Sequence, residues 1–317
     1  MPQSLPRVIA DGPLSKAATE LLHGRVELLP WEHLFGKKDE SVSGIYTFGH
    51  PILNGELMDN VPYIKVISNH GVGVDHISLK DAQARGIAVG NTPGVLDGAT
   101  ADMGFCLLMA AARRLVEGDK IARVGTDDFN TKKSAAILGR EVHGSRLGIV
   151  GMGRIGLQVA RRAFGFDMQV SYFNRNRRTD IESQLGVTYK PLPDLLASCD
   201  YIMLCVPLTK ETIGLIGADE LRMMLPTATL VNIARGAVVD TDALTIALTE
   251  NWIYAAALDV TEPEPLSKDH PLLKLDNVIV VPHIGSATVQ TRQKMAELSV
   301  QNLMAGLAGD ALLHRVL

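Results

Sequence analysis

Cysteine is scarce in this chain: three residues in 317, at Cys106, Cys199 and Cys205, each in an apolar context and none at a metal-ligand spacing from another. That excludes a disulfide framework and gives metal chemistry no support. It reads as buried thiols of a protein kept in a reducing cytoplasm. The chain also lacks an uncharged apolar run approaching the roughly 18 residues of a membrane span. Its first residues, MPQSLPRVIADGP, lack the long apolar region and cleavage site of a signal peptide, so a cytoplasmic location is expected. Charge of one sign is not in excess: the formal net charge of −4 gives no footing for a general nucleic-acid binder. There is no internal repeat at solenoid spacing and no low-complexity linker. What is present is a chain 46% hydrophobic and 21% charged, too long for one ordinary core and comfortable for two domains.

Short apolar runs alternate with helical patterns throughout, which predicts an α/β fold with parallel sheets. RVIA (7–10), VELL (26–29), GIYTF (44–48), KVISN (65–69) and GIAVGN (86–91) read as strands of a first unit, with helices around Ser15–Leu22 and Leu79–Ala84. Gly98 to Arg114 reads as one long, mostly buried helix whose basic end suits a helix C-terminus. A second series starts at Arg146 with RLGIV, a glycine turn and a helix from Leu157 to Phe164. QVSYF, YIMLCV, ATLVNI, YAAALDV and NVIVVP continue it, and a helix from about Ser286 to Leu307 returns to the first unit. The expected architecture is therefore two doubly wound parallel-sheet (Rossmann-like) domains with a cleft between them. Residues 1–98 plus 288–317 would form one domain and 99–287 an inserted cofactor domain.

The glycine turn is GMGRIG, with Gly151, Gly153 and Gly156 matching G-x-G-x-x-G directly after a strand and before a helix. In such a turn the first glycine permits the bend, the second lets backbone approach a pyrophosphate, and the third allows helix and strand to touch. The helix N–H groups then face the diphosphate. Alone the motif is weak; in this strand–helix setting it predicts dinucleotide binding. Three later segments each leave a polar residue at a strand end: NIARGAVVD with Arg235, ALDVTEPEP with Glu264 and VVPHIGSAT with His283, spaced by 29 and 19 residues. A surface ion pair, a solvated loop carboxylate and a structural histidine would explain them one at a time. Their order behind a dinucleotide turn points to a catalytic set.

These segments resemble a known family. NHGVGVDHI (69–77), NTPGVLDGATAD (91–102), LGIVGMGRIG (147–156), VPLTKETIGLI (206–216), NIARGAVVD (232–240), ALDVTEPEPL (257–266) and PHIGSAT (282–288) together are similar to the D-isomer-specific 2-hydroxyacid dehydrogenases. The chain looks most like that family's glyoxylate/hydroxypyruvate reductases and related 2-ketoacid reductases. The resemblance covers nearly the whole chain. It implies that Arg235 grips the substrate carboxylate through paired guanidinium donors. His283 would exchange a proton with the carbonyl oxygen while nicotinamide supplies hydride, and Glu264 would orient the imidazole and favour its charged form. The loop Gly71-Val72-Gly73 would offer backbone donors from Val72 and Gly73 to the same carboxylate, although an ordinary tight loop explains its glycines equally well. Asp259 would meet the nicotinamide end of the cofactor, or serve as a structural strand-end carboxylate. Further cofactor contacts are implied at Arg154, Ile155, Val206, Pro207, Thr212, Ile233, Ala234 and Gly285. A homodimer is implied, with the Gly98–Arg114 region and the segment after it as the contact; no nucleic acid, membrane or metal partner is expected.

Two positions depart from the family pattern. Thr261 stands where an aromatic often follows the aspartate-valine pair, and near the usual tryptophan before the cofactor domain the nearest aromatic is Phe129. A third feature bears on cofactor choice. Counting 18 residues from Gly156 reaches Asn174, where an NAD enzyme would place a carboxylate on the adenosine ribose. Asparagine does not repel a 2′-phosphate, and Arg175 follows, with Arg177 or Arg178 behind it. A solvated basic loop is the plain alternative, but the position favours NADP(H), with NAD(H) use left open. The expected function is an NADP-preferring reductase of small 2-ketoacids such as glyoxylate or hydroxypyruvate. The alternatives are a hydroxyphenylpyruvate-, 2-ketogluconate- or phosphite-type dehydrogenase, or a non-catalytic nucleotide-sensing protein like the family's corepressors.

Overall fold

The computed structural model describes residues 4–49, 51–124 and 137–317. Phe129, named above, lies outside them. The chain divides into two compact units, residues 1–96 with 287–317, and residues 97–286.

The first unit is a five-stranded parallel sheet. Its strands are β1 (Arg7–Ala10), β2 (Glu27–Pro30), β3 (Val42–Thr47), β4 (Val66–Asn69) and β5 (Ala88–Gly90), in the order β2-β1-β3-β4-β5. Ile9, Ile45, Ile67 and Val89 are fully buried, as β-branched residues on a sheet covered by helices should be. Helix α1 (Lys16–Leu22) starts where the Ser15 hydroxyl accepts from the Ala18 N–H, and α3 (Leu79–Ala84) starts in the same way at Ser78. The C-terminal helix α11 (Val289–Ala308), capped by the Thr288 hydroxyl, lies on this sheet. A Cβ at Gly306 would fall 2.4 Å from the Val66 Cβ, so only glycine permits that approach.

The second unit has seven parallel strands. They are β6 (Arg146–Val150), β7 (Gln169–Phe173), β8 (Thr188–Tyr189), β9 (Tyr201–Leu204), β10 (Thr229–Asn232), β11 (Ala255–Leu258) and β12 (Val278–Val280). Their order is β12-β11-β10-β9-β6-β7-β8, with Leu147 opposite Val170 on one side and Tyr201 on the other. The chain winds outward in both directions from β6. The loops after β6 and β9 therefore diverge, and this switch point is where open α/β sheets take ligands. One core, with Ile149, Tyr172 and Leu108, lies under α4 (Asp97–Ala112) and α6 (Arg154–Phe164). The other, with Leu195, Leu204, Leu230 and Leu244, lies on the opposite face.

Two expectations need correction. The helix read as continuous from Gly98 to Arg114 ends at Ala112. Arg114 takes a left-handed φ of 50° and pairs with Glu117 at 2.6 Å, and a second helix, α5 (Leu115–Val124), begins there. The thiols are not all buried either: Cys199 is, Cys205 is partly exposed and Cys106 is exposed. Cys106 shares the outward face of α4 with Asp102, Met103 and Met109, at the three- and four-residue spacing of one helical stripe. The sequence context did not reveal that face, because the residues that flank Cys106 along the chain are apolar.

Candidate active site

The three glycines of the turn after β6 meet three different surroundings. Gly151 has φ +103°, and a Cβ there would lie 2.8 Å from the Cys205–Val206 peptide of the neighbouring strand end. A Cβ on Gly156 would lie 2.2 Å from the Gly151 carbonyl oxygen, so helix α6 and the turn touch backbone to backbone. A Cβ on Gly153 would meet nothing within 4 Å. It is exposed at the N-cap of α6, followed by Arg154 and Ile155. The protein needs two of these glycines for itself and leaves the third open at a helix N-terminus, which fits the diphosphate of a dinucleotide.

The strand ends beside the turn carry the other expected residues. After β9, Val206 and Pro207 lead into a loop braced by Thr212, whose hydroxyl donates to the Pro207 carbonyl at 2.7 Å and accepts from the Thr209 N–H. After β10, Ile233 and Ala234 are buried and Arg235 is partly exposed. Asn232, which the sequence reading passed over, fixes this bend. Its amide donates to the Arg235 carbonyl at 2.9 Å and accepts from the Ala234 N–H at 3.0 Å. The Arg235 guanidinium donates back to the Ala234 carbonyl at 2.9 Å. A Cβ on Gly236 would sit 1.9 Å from the Thr261 carbonyl oxygen, so the Arg235 bend lies directly against the segment leading to Glu264. Thr261 is itself buried and donates its hydroxyl to the Pro263 carbonyl at 2.9 Å, a local brace in place of an aromatic ring.

His283 follows β12, and its Nδ1 lies 2.8 Å from Glu264 Oε1. An ionised carboxylate only accepts, so Nδ1 carries the hydrogen of that bond. Burial pushes the Glu264 carboxyl up, but the His283 hydrogen bond and the nearby charges of His283 and Arg235 hold it below its ordinary value. The charge of Arg235 thus reaches the carboxylate that His283 bonds. His283 has a left-handed φ of 52°, a strained conformation for an imidazole-bearing residue. It is kept there from the next strand. The His283 N–H donates to the Asp259 carbonyl at 2.8 Å, and the Asp259 carboxylate accepts from Ile284 N–H at 2.7 Å and Gly285 N–H at 2.9 Å. A Cβ on Gly285 would meet that carboxylate at 2.7 Å. Asp259 is buried, and burial lifts its carboxyl above the ordinary value against the pull of those donors.

The basic loop after β7 sorts its arginines. Arg177 is held by Glu182 at 2.7 Å and lies over the Tyr189 ring. Arg178 pairs with Asp180 at 2.7 Å and reaches the Met152 carbonyl of the glycine turn at 3.4 Å. Asn174 donates its amide to the Asn176 carbonyl, and Arg175 is exposed. In the first unit, Gly71-Val72-Gly73 follows β4, with Gly71 buried and Val72 and Gly73 partly exposed. Among the described residues, no helix is long and apolar enough to cross a membrane, and no group of histidine, cysteine, aspartate and glutamate converges on a metal position.

A doubly wound sheet that opens a glycine turn at its switch point, and hangs an imidazole–carboxylate pair from later strand ends of the same sheet, is built for hydride chemistry on a nicotinamide dinucleotide. The molecule is an oxidoreductase of that class. Residues 105–285 match the NAD-binding domain of the D-isomer specific 2-hydroxyacid dehydrogenases. Over 316 residues, 96% of this chain and 94% of the relative, the sequence is 44% identical to a glyoxylate reductase of Thermococcus gammatolerans. A solved Thermus thermophilus protein superposes with a TM-score of 0.88 at 41% identity, covering 98% of this chain and all of that one. An NADPH-dependent glyoxylate/hydroxypyruvate reductase of Sinorhizobium meliloti, solved with NADP and malonate, superposes with a TM-score of 0.90 at 34% identity, over 99% of this chain and 97% of that one. The chain belongs to the D-isomer-specific 2-hydroxyacid dehydrogenase family.

Proposed function

We propose that the protein reduces small 2-ketoacids, with glyoxylate and hydroxypyruvate as the leading substrates, to D-2-hydroxyacids, and that it prefers NADPH to NADH. The observation that carries the reading is the 2.8 Å bond between His283 and Glu264, electrostatically linked to Arg235, in the unit that bears the open glycine turn. Two of the similar proteins above are named for this substrate class, and one of them for NADPH.

When bound, the nicotinamide supplies the hydride. Arg235 holds the substrate carboxylate, joined by the peptide N–H groups of Val72 and Gly73. His283 Nε2 gives its proton to the carbonyl oxygen as hydride adds to the carbonyl carbon, so that C=O becomes CH–OH; in the oxidative direction the same nitrogen takes the proton back. Glu264 keeps the hydrogen on Nδ1 and stabilises the positive ring. Residues 97–286 act as the cofactor unit, with Gly151, Gly153, Arg154, Ile155 and Gly156 around the diphosphate. Asp259 serves chiefly as the brace of the His283–Gly285 segment, since both its oxygens already accept backbone N–H groups.

For cofactor choice, Arg175 meets the 2′-phosphate with Arg178 behind it, because Arg177 is committed to Glu182 and Arg178 reaches the glycine turn. One charge-assisted contact of this kind is worth roughly 1.5–3 kcal/mol, about one to two decades of preference. The test is kcat/KM with both cofactors on a panel of 2-ketoacids. NADPH should lead, and Asn174→Asp combined with Arg175→Ala should shrink or reverse the gap; equal efficiency in the unmodified protein refutes the preference. Nucleotide binding without turnover of any 2-ketoacid would favour a sensing role instead. The outward stripe of α4, with Cys106 exposed and Met103 and Met109 partly exposed, supports assembly as a homodimer through that helix, which light scattering of the unmodified protein and of Met109→Asp would test.

A further inference from the structure

We infer that Asn69 and Asn91 are positioning residues that hold the Gly71–Gly73 loop with its peptide N–H groups turned toward the substrate carboxylate. The inference rests on the reading above, in which that loop takes the carboxylate.

A loop with glycine at two of three positions has little of its own to fix its peptide planes. Here each of its carbonyls is fixed from within the first unit. The Gly71 carbonyl accepts from the Thr92 N–H and from Asn69 Nδ2, both at 3.0 Å. The same Asn69 Nδ2 donates to the Gly73 carbonyl at 2.8 Å, and Asn91 Nδ2 donates to the Val72 carbonyl at 2.8 Å. In a planar trans peptide the N–H points opposite to the C=O of the preceding residue. Clamping the Gly71 and Val72 carbonyls therefore sets the direction of the Val72 and Gly73 N–H groups, the two donors assigned to the carboxylate. Successive backbone N–H groups fixed in this way form an anion-binding concavity.

The clamps are themselves oriented. Asn69 is fully buried, and the Thr47 hydroxyl donates to its Oδ1 at 2.9 Å, which leaves Nδ2 as the atom that must face the loop. Asn91 is held by its backbone: its carbonyl accepts from Asn302 Nδ2 on α11 at 3.0 Å, and its N–H donates to the His314 carbonyl at 3.2 Å. Without the two side-chain amides the loop would have to be ordered each time the anion binds, and that cost falls on affinity.

The test uses Asn91→Leu, which keeps side-chain volume and removes the donor, and Thr47→Val, which removes the hydroxyl that donates to Asn69 Oδ1 and lies 3.5 Å from His76 Nε2. Steady-state kinetics with glyoxylate should show KM up about tenfold in Asn91→Leu and about threefold in Thr47→Val, with kcat within about twofold, since carboxylate binding is shared by ground and transition states. NADPH affinity by fluorescence titration and the melting temperature should stay at the unmodified values. The inhibition constant of oxalate, a probe that needs no turnover, should rise in step with KM. An unchanged KM and oxalate constant in a folded Asn91→Leu variant overturns the inference, as does a loss spread evenly over kcat, NADPH affinity and melting temperature. Failure of the unmodified protein to reduce any 2-ketoacid overturns the functional reading instead. Oxalate affinity measured by calorimetry on both proteins then still decides whether Asn91 orients an anion site.

Discussion

Replacing Glu264 by Gln leaves the shape of the acid's partner almost unchanged and removes only its charge. Two unit charges about 4 Å apart attract by ~4 kcal/mol at the effective dielectric of ~20 that suits protein surfaces. The side chains of His283 and Glu264 are 33% and 38% exposed, so water screens part of that. The range for a hydrogen bond to a charged partner, roughly 1.5–3 kcal/mol, is the better measure. At ~1.4 kcal/mol per decade, this corresponds to a ten- to hundredfold loss of kcat/KM for ketoacid reduction. Glu264 is itself held below its ordinary value by the His283 hydrogen bond and the nearby charges of His283 and Arg235, against the upward push of its burial. Initial rates of Glu264→Gln at saturating cofactor, set beside its melting temperature and NADPH affinity, measure the loss. A loss smaller than about threefold, or one matched by an equal fall in stability and cofactor affinity, would refute the electrostatic role and leave Glu264 as a steric support.

Four further outcomes are expected. Gly153→Ala should melt within about 2 °C of the unmodified protein yet weaken dinucleotide binding about tenfold or more. Gly156→Ala, which would put a Cβ 2.2 Å from a carbonyl oxygen, should lose more than about 2 kcal/mol in urea denaturation. Asp11 is buried where it accepts from the Phe48 and Gly49 N–H groups, and burial raises its carboxyl from 3.8 to about 6. A raised carboxyl contributes stability that is present below its unfolded value and lost as pH climbs through about 6. The stability difference between unmodified protein and Asp11→Asn should therefore move in favour of the variant by no more than about 3 kcal/mol between about pH 4 and about pH 7; a flat difference refutes it. Finally, Arg178→Ala should reduce the NADPH over NADH preference about tenfold while Arg177→Ala leaves the ratio where it was, read from kcat/KM with each cofactor.

What the sequence disclosed was whatever is local in chain or carried by an ordered set of motifs. GMGRIG sits between an apolar strand and a helical pattern, so its place in the fold could be read directly. Arg235, Glu264 and His283 each follow a strand, so a parallel sheet delivers all of them to one edge of the second unit. The break at Arg114 was not legible, because its basic residues suit the end of one helix as well as the join between two. The exposed face of α4 was hidden by the apolar residues that flank Cys106 in the chain. Arg177 and Arg178 looked equivalent until Glu182, four to five residues on, and Asp180 were seen to take one each. Asn69, Asn91 and Asn232 escaped notice for a common reason: a side-chain amide that works by gripping backbone carbonyls leaves no periodic or charge signal, and only the three-dimensional path of the chain shows what it grips.

The brace behind His283 sets terms for anyone who would move this imidazole to another scaffold. The imidazole cannot be transplanted as a single residue, or even with Glu264 alone, because its left-handed backbone is suspended from Asp259 on the adjacent strand and closed by a glycine that must stay free of a side chain. The smallest portable part is the end of β11, the end of β12 and the Glu264 loop that joins them. Substitutions elsewhere then leave the aim of the His283 ring mechanically independent of them.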